Sequence, residues 1–290
     1  MTSQLKTMAA SPHTGLICLT TRHGKERALA RPFRLGLGLT VVSCPCDTDQ
    51  LGTFSGDVER PADARETCRR KARLGLEQTG LRLGLASEGS FGPHPAAAML
   101  PVGQELLLWL DLERGVEIVE QRLELRTNFD QQVFEPDGDP TAWLDRVGFP
   151  SHGVIARPAS WTPGAPLYKG LTSITELRQA IATSRSADAQ GRVQLETDMR
   201  AHLNPTRMLS LQRLGVALVR RLRTACPSCE APGWGLVDTV AGLPCSWCGE
   251  PTALTRFEIW ACPQCRARRL QPRADGLVSA DPGQCQGCNP

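Results

Sequence analysis

Apolar residues come in short runs broken by polar, glycine-rich turns over the first 125 positions of the chain. Leu16 to Thr20 reads as a strand, and Thr21-Arg22-His23-Gly24 as a turn. Ala28, Leu29, Phe33 and Leu37 then recur at helical spacing over Lys25 to Leu37, with Pro32 as an internal interruption. Leu39 to Ser43 reads as a second strand. A strand, a helix and a strand open an α/β unit. Cys44 to Pro61 is polar and predicts a loop, and Asp63 to Thr79 a helix with Ala64, Cys68, Ala72 and Leu76 on one face and Gly80 as its stop. Leu81 to Ala86 predicts a strand, and Ser87 to Pro95, rich in Gly and Pro, a loop. Leu106 to Leu112 and Val116 to Leu125 flank Glu113-Arg114-Gly115 as a hairpin.

Further on, Val154 to Arg157 predicts a short strand, and Ser173 with Glu176 a capping box that opens a helix to about Thr183. Asn204-Pro205 predicts an N-cap with proline at the first helical position. The helix behind it carries Met208, Leu211, Leu214, Leu218 and Leu222 on one stripe. The pattern as a whole predicts an α/β fold with a mixed sheet and a C-terminal zinc-ribbon-type module. The expected division is a disordered tail over 1–15, an α/β domain over 16–210, a connecting helix over 211–223 and a double zinc-binding module over 224–290.

The terminal module rests on cysteine spacing. Eight of the twelve cysteines form four C-x-x-C pairs: Cys226/Cys229, Cys245/Cys248, Cys262/Cys265 and Cys285/Cys288. The pairs are separated by 15, 13 and 19 residues. Four thiolates close a tetrahedral sphere around a structural Zn²⁺ and leave no open position for catalysis. So short a stretch cannot bury enough surface to fold unaided, and metal binding supplies the missing free energy. The spacing favours sequential pairing. Cys226, Cys229, Cys245 and Cys248 would hold one ion, and Cys262, Cys265, Cys285 and Cys288 the other. Cys18, Cys44, Cys46 and Cys68 read as core or loop thiols.

Charge narrows the partners. The net charge of +3 argues for neither a nucleic-acid nor a membrane partner, and no apolar run reaches the length of a spanning helix. The first fourteen residues lack a signal-peptide core, and C-x-x-C pairs suit a reducing compartment, so a cytoplasmic location is expected. Two Zn²⁺ with eight thiolates make the module slightly negative despite its eight arginines. Arg266, Arg268, Arg269 and Arg273 still cluster, so nucleic acid stays open beside a docking role for a protein partner.

Three N-terminal segments collect chemistry. Thr21, Arg22 and Lys25 stand between a strand and a helix, where helix-terminal amides attract anions, although a turn with a solvated lysine reads equally well. Glu66 lies four residues before Arg70, a simple ion-pair spacing, with Lys71 next. Ser87 and Glu88 follow an apolar strand, where an α/β sheet places acids that act on ligands. A polar knot over Glu196, Asp198, Arg200, His202, Asn204 and Arg207 is either a capped helix start or a phosphate or base contact folded over the first site.

In this order the segments resemble the inosine-triphosphate pyrophosphatase superfamily. Thr21 to Lys25, Ser55-Gly56 through Pro61 with Glu66-Thr67 and Lys71-Ala72, Glu88-Gly89, and the hairpin from Leu106 to Leu125 carry the likeness. It implies Mg²⁺-dependent cleavage of a nucleoside triphosphate, with Glu66 and Glu88 on the metal and Lys25 and Lys71 on the phosphates. Thr21, Arg22, Ser87, Asn204 and Arg207 would contact the nucleotide. Ser87-Glu88-Gly89-Ser90 departs from the superfamily's Asp-Ser-Gly-Leu, and its Ser-His-Arg base-recognition segment is absent unless Asn204 to Arg207 replaces it. The whole chain also looks like an uncharacterised bacterial family known only as a domain of unknown function. Ser87 to Pro95, Glu196 to Arg200, Asn204 to Met208 and Cys285 to Pro290 carry that second likeness.

Overall fold

A computed structural model describes residues 15–46, 63–94 and 97–289. The expected tail apart from Gly15, and Ser55 to Pro61, lie outside the described residues. The described residues form two compact units, one within 1–112 with 119–218 and one within 113–118 with 219–290.

In the first unit, β1 (Leu16–Thr20) leads through α1 (Glu26–Leu37) to β2 (Thr40–Cys44), and α2 (Ala64–Thr79) leads to β3 (Leu83–His94). β4 (Ala97–Asp111) and β5 (Val116–Glu124) follow as a hairpin. The sheet order is β2-β1-β3-β4-β5, with β1 parallel to both β2 and β3 and β3 antiparallel to β4. Strand alternation sends successive side chains to opposite faces. Cys18, Ala86, Leu106 and Leu108 therefore pack with Cys68, Ala72 and Leu76 of α2. On the alternate positions, Trp109 stacks on Phe33 of α1 at 6.2 Å.

α2 begins where expected: the Asp63 carboxylate accepts from the Glu66 amide at 2.8 Å, and Gly80 closes the helix in the left-handed region. Pro32 sits inside α1 without ending it, buried against the core. The expected loop over Ser87 to Pro95 is instead strand as far as His94. Every residue from Leu83 to Pro93 pairs with β4, so a complete backbone ladder overrides the local preference of Gly and Pro.

A second sheet has order β6-β9-β7-β8, from β6 (Gln131–Phe134), β7 (Val154–Pro158), β8 (Tyr168–Leu171) and β9 (Val193–Thr197). α3 (Thr141–Val147) and α4 (Ile174–Ala187) cover it through Trp143, Leu144, Leu177 and Ala180. Ser173 precedes α4, but its hydroxyl makes no capping bond. At α5 (Pro205–Leu222) the cap forms as predicted: Asn204 Oδ1 accepts from the Arg207 amide at 2.9 Å.

The second unit carries an antiparallel sheet of β10 (Gly235–Ala241), β11 (Thr255–Ala261) and β12 (Arg268–Pro272). No helix among the described residues is long and apolar enough to cross a membrane.

Candidate metal centres and a buried charge cluster

The three strands of the second unit decide which cysteines meet. β10 and β11 pair so that Gly235 opposes Ala261. That register places the turn before β10, with Cys226 and Cys229, beside the turn after β11, with Cys262 and Cys265. The turn between β10 and β11 holds Cys245 and Cys248, and β12 runs back along β11 so that the chain returns to that opposite end with Cys285 and Cys288. Cys245 also bridges to Ala280.

The four-cysteine groups are therefore Cys226, Cys229, Cys262 and Cys265, and Cys245, Cys248, Cys285 and Cys288. This corrects the sequential pairing. Loop lengths treat the pairs as beads on a string, but antiparallel pairing folds each distant pair back onto an earlier one. Cys226 Sγ and Cys265 Sγ lie 3.8 Å apart, Cys229 and Cys262 3.6 Å, Cys245 and Cys288 3.8 Å, and Cys248 and Cys285 3.7 Å. A tetrahedral ion with about 2.3 Å bonds to sulfur separates its ligands by about 3.8 Å. Disulfide sulfurs would stand at about 2.05 Å. Both groups fit a structural tetrahedral ion, and the all-thiolate donor set suits zinc.

Three turns share one backbone design. The amides of Cys226, Cys245 and Cys262 donate to the carbonyls of Ala231, Glu250 and Ala267. The residue after the second cysteine is left-handed in each: Glu230 at φ 60°, Gly249 at φ 75° and Arg266 at φ 59°. The turn aims amides at the first sulfur. Ser228 and Trp247 donate to Cys226 Sγ and Cys245 Sγ at 3.4 Å, and Gln264 to Cys262 Sγ at 3.3 Å. Burial raises the Cys226 thiol, but the Ser228 and Cys229 amides, with hydrogen bonds from the Cys262 and Cys229 thiols, bring it down to about 6. The Cys248 and Trp247 amides bring Cys245 to about 7. These amides favour the thiolate, the form that binds metal.

The first unit gathers a second cluster where β1 ends beside the middle of β3, at Ser87 and Glu88. β1 connects through α1 to β2 on one side of it, and β3 connects by a hairpin to β4 on the other. Lys25 is buried directly before α1, and its Nζ donates to the Ser87 carbonyl at 3.0 Å and to Ser87 Oγ at 2.9 Å. Burial first, and the neighbouring Arg207 guanidinium second, pull the Lys25 ammonium down to about 8. Lys71 pairs with the buried Glu88. Arg207 donates through Nε to Glu105 Oε1 at 2.5 Å, and through Nη1 to the Met199 carbonyl. The guanidinium also lies 5.0 Å over the Phe91 ring.

Gly89 makes room for this pair. A Cβ there would stand 2.4 Å from Arg207 Nη2 and 2.9 Å from Glu105 Oε1. The polar knot before α5 thus folds over the first site through Arg207. His202 joins it by stacking on His23 with ring centroids 5.2 Å apart. Burial, then Lys25, His202, Arg200 and Arg207, hold His23 down at about 3.

Of the expected nucleotide contacts, Ser87, Lys25 and Arg207 lie in this cluster, and Thr21 is buried beside it at the end of β1. Arg22 is exposed, and Asn204 is buried as a helix cap. Glu105 carried no functional expectation. Its only sequence signal is a lone carboxylate within the apolar run Val102 to Leu110. Glu66 sits apart in its partners: Arg70 Nε donates to it at 3.0 Å and Arg69 also pairs with it, which lowers its carboxyl. Glu66, Glu88 and Glu105 each already face a cation. The described residues show Glu66 and Glu88 in ion pairs with separate cations, Arg69 and Arg70 for the one and Lys71 for the other. Among them, only the two four-cysteine groups gather three or more metal-ligating side chains.

No curated protein and no solved structure matches the chain. A family model described as a domain of unknown function, DUF6671, matches residues 71–290 and so takes in Lys71, Glu88, Glu105, Arg207 and all eight paired cysteines. The chain belongs to the DUF6671 family.

Proposed function

We propose that the first unit binds the phosphate groups of a nucleotide where β1 ends beside the middle of β3, and that the second unit is a structural two-zinc module. The observation that carries this reading is Lys25. Its ammonium is buried at the start of α1, and among the described residues its hydrogen bonds go to neutral Ser87 oxygens. Lys25, Lys71 and Arg207 set three cations against the two carboxylates Glu88 and Glu105. A buried surplus cation is costly, and an anion at the helix start offsets that cost. The resemblance to the pyrophosphatase superfamily names a nucleoside triphosphate as the ligand class. Binding is favoured over Mg²⁺-dependent hydrolysis because every carboxylate that would hold the metal is engaged by lysine or arginine.

Calorimetric titration of the full chain with ATP, GTP, inosine triphosphate and inorganic pyrophosphate tests the reading, with pyrophosphate release followed in parallel. Lys25→Met should weaken binding by about 10- to 100-fold, the worth of a charged hydrogen bond, while zinc content and circular dichroism stay unchanged. Unaltered nucleotide affinity in a folded Lys25→Met protein refutes the site. Turnover with Mg²⁺ that Glu88→Gln abolishes would replace binding by hydrolysis.

A further inference from the structure

Cys44-Pro45-Cys46 closes β2, and neither thiol belongs to a four-cysteine group. The two side chains turn to the same side, with their sulfurs 2.8 Å apart. That is within about 1 Å of a disulfide bond length. Both thiols point at one acceptor: Gln78 Oε1 lies 3.3 Å from Cys44 Sγ and 3.0 Å from Cys46 Sγ. They are buried, at 5% and 3% exposure, against Cys18, Cys68 and Leu76. A single amide oxygen accepting from two adjacent thiols fixes them toward each other instead of toward separate partners.

We infer that Cys44 and Cys46 form a redox-active dithiol that closes reversibly to an intramolecular disulfide. The oxidant is a low-molecular-weight disulfide such as oxidised glutathione. One cysteine thiolate attacks an oxidant sulfur, forms a mixed disulfide and expels one small thiolate. The second cysteine thiolate then attacks the protein sulfur of that mixed disulfide and expels the other. In balance, two thiols lose two protons and two electrons, and one disulfide is reduced to two thiols. Burial pushes the Cys46 thiol up to about 12, so closure is slow at neutral pH and quickens as pH rises. Proximity, which replaces a second bimolecular encounter by a ring closure, drives the second step. The main chain carries the outcome outward. The Cys44 carbonyl carbon is a member of the ring that closes, and its oxygen accepts from the Thr21 amide at 3.1 Å. This inference stands apart from the nucleotide reading.

The test incubates the zinc-loaded full chain with oxidised glutathione and then digests it with trypsin under acid-quenched, alkylating conditions. The peptide from Leu35 to Arg65 contains Cys44 and Cys46 and no other cysteine. The expected result is loss of two hydrogens confined to that peptide, reversed by dithiothreitol, with the zinc retained. Cys44→Ser and Cys46→Ser should each abolish that loss and leave a stable glutathione adduct, whereas Cys18→Ser should preserve it. Alkylation of both thiols after full equilibration with the oxidant overturns the proposal. So does oxidation of the zinc-site cysteines while the Cys44 and Cys46 thiols stay reduced.

Discussion

Cys229 Sγ lies 3.6 Å from Cys262 Sγ although 33 positions separate them in sequence. The neighbouring pair Cys245 and Cys248, which is closer along the chain, joins the other group. Strand pairing, not loop length, sets the partnership, because a three-stranded antiparallel sheet has two ends and each end collects alternate turns.

Double substitutions separate this arrangement from sequential pairing. Cys226→Ser with Cys262→Ser removes two ligands from one ion, and the purified protein should keep about one zinc per chain. Cys226→Ser with Cys245→Ser removes one ligand from each, and both sites should weaken. Sequential pairing requires the reverse order of loss. Zinc measured by mass spectrometry after dialysis against a weak chelator distinguishes them.

The left-handed residues of the turns give an independent handle. A side chain in that region costs about 1–2 kcal/mol that glycine does not. Glu230→Gly and Arg266→Gly should each raise the thermal midpoint of the zinc-loaded second unit or leave it level, corresponding to up to about 1 kcal/mol. Gly249→Ala, at φ 75°, should lower it by about 1 kcal/mol. A drop for both glycine variants would show that Glu230 and Arg266 are retained for contacts stronger than their backbone cost.

The chemistry of this chain was more legible in sequence than its connections. Cysteine spacing identifies all eight members of the two four-cysteine groups, since a C-x-x-C pair needs only its own turn. Which pairs meet depends on the register of β10, β11 and β12, a non-local property. Alternation and caps locate β1, α1, α2 and α5 because those signals are local. Ser87 to His94 fails for the opposite reason: its Gly, Ser and Pro content indicates a loop, and only the partner strand β4 makes it a strand. Arg207 was visible as part of a polar knot, but its partner Glu105 was hidden inside an apolar strand.

One buried base, Lys25, and one half-buried base, His23, give a stability profile whose sign can be worked out. His23 has its folded value near 3 against an ordinary 6.5, and Lys25 near 8 against 10.5. In each window the unfolded chain binds a proton that the folded chain refuses, so stability rises with pH. The His23 contribution is present above pH 6.5 and drains away as pH falls toward 3, tempered by its partial solvent exposure. The Lys25 contribution grows between pH 8 and 10.5. Urea denaturation across pH 4 to 7 should show a shallower slope for His23→Gln than for the parent, and equal slopes would contradict the assignment. For a bound phosphate the sign is opposite. Only the protonated Lys25 attracts it, so affinity should fall as pH rises above about 8.

Arg207 and Glu105 supply the test of what the cluster is for. Glu105 is 1% exposed, and among the described residues its ion-pair partner is Arg207. Removing one partner of such a pair strands a buried charge and costs about 3–5 kcal/mol. Arg207→Met should therefore destabilise the first unit by that order, and Glu105→Gln similarly. Replacing both with apolar residues, Arg207→Met with Glu105→Leu, should recover most of the loss, because desolvation of two charges consumes much of what their attraction returns. Gly89→Ala gives a graded version: its Cβ would press into the same pair and should cost about 1–3 kcal/mol. If the double variant regains stability and still binds nucleotide as the parent does, Arg207 serves the fold alone. If stability returns but affinity does not, the guanidinium is retained for the phosphate, at a position where an apolar pair would fold as well.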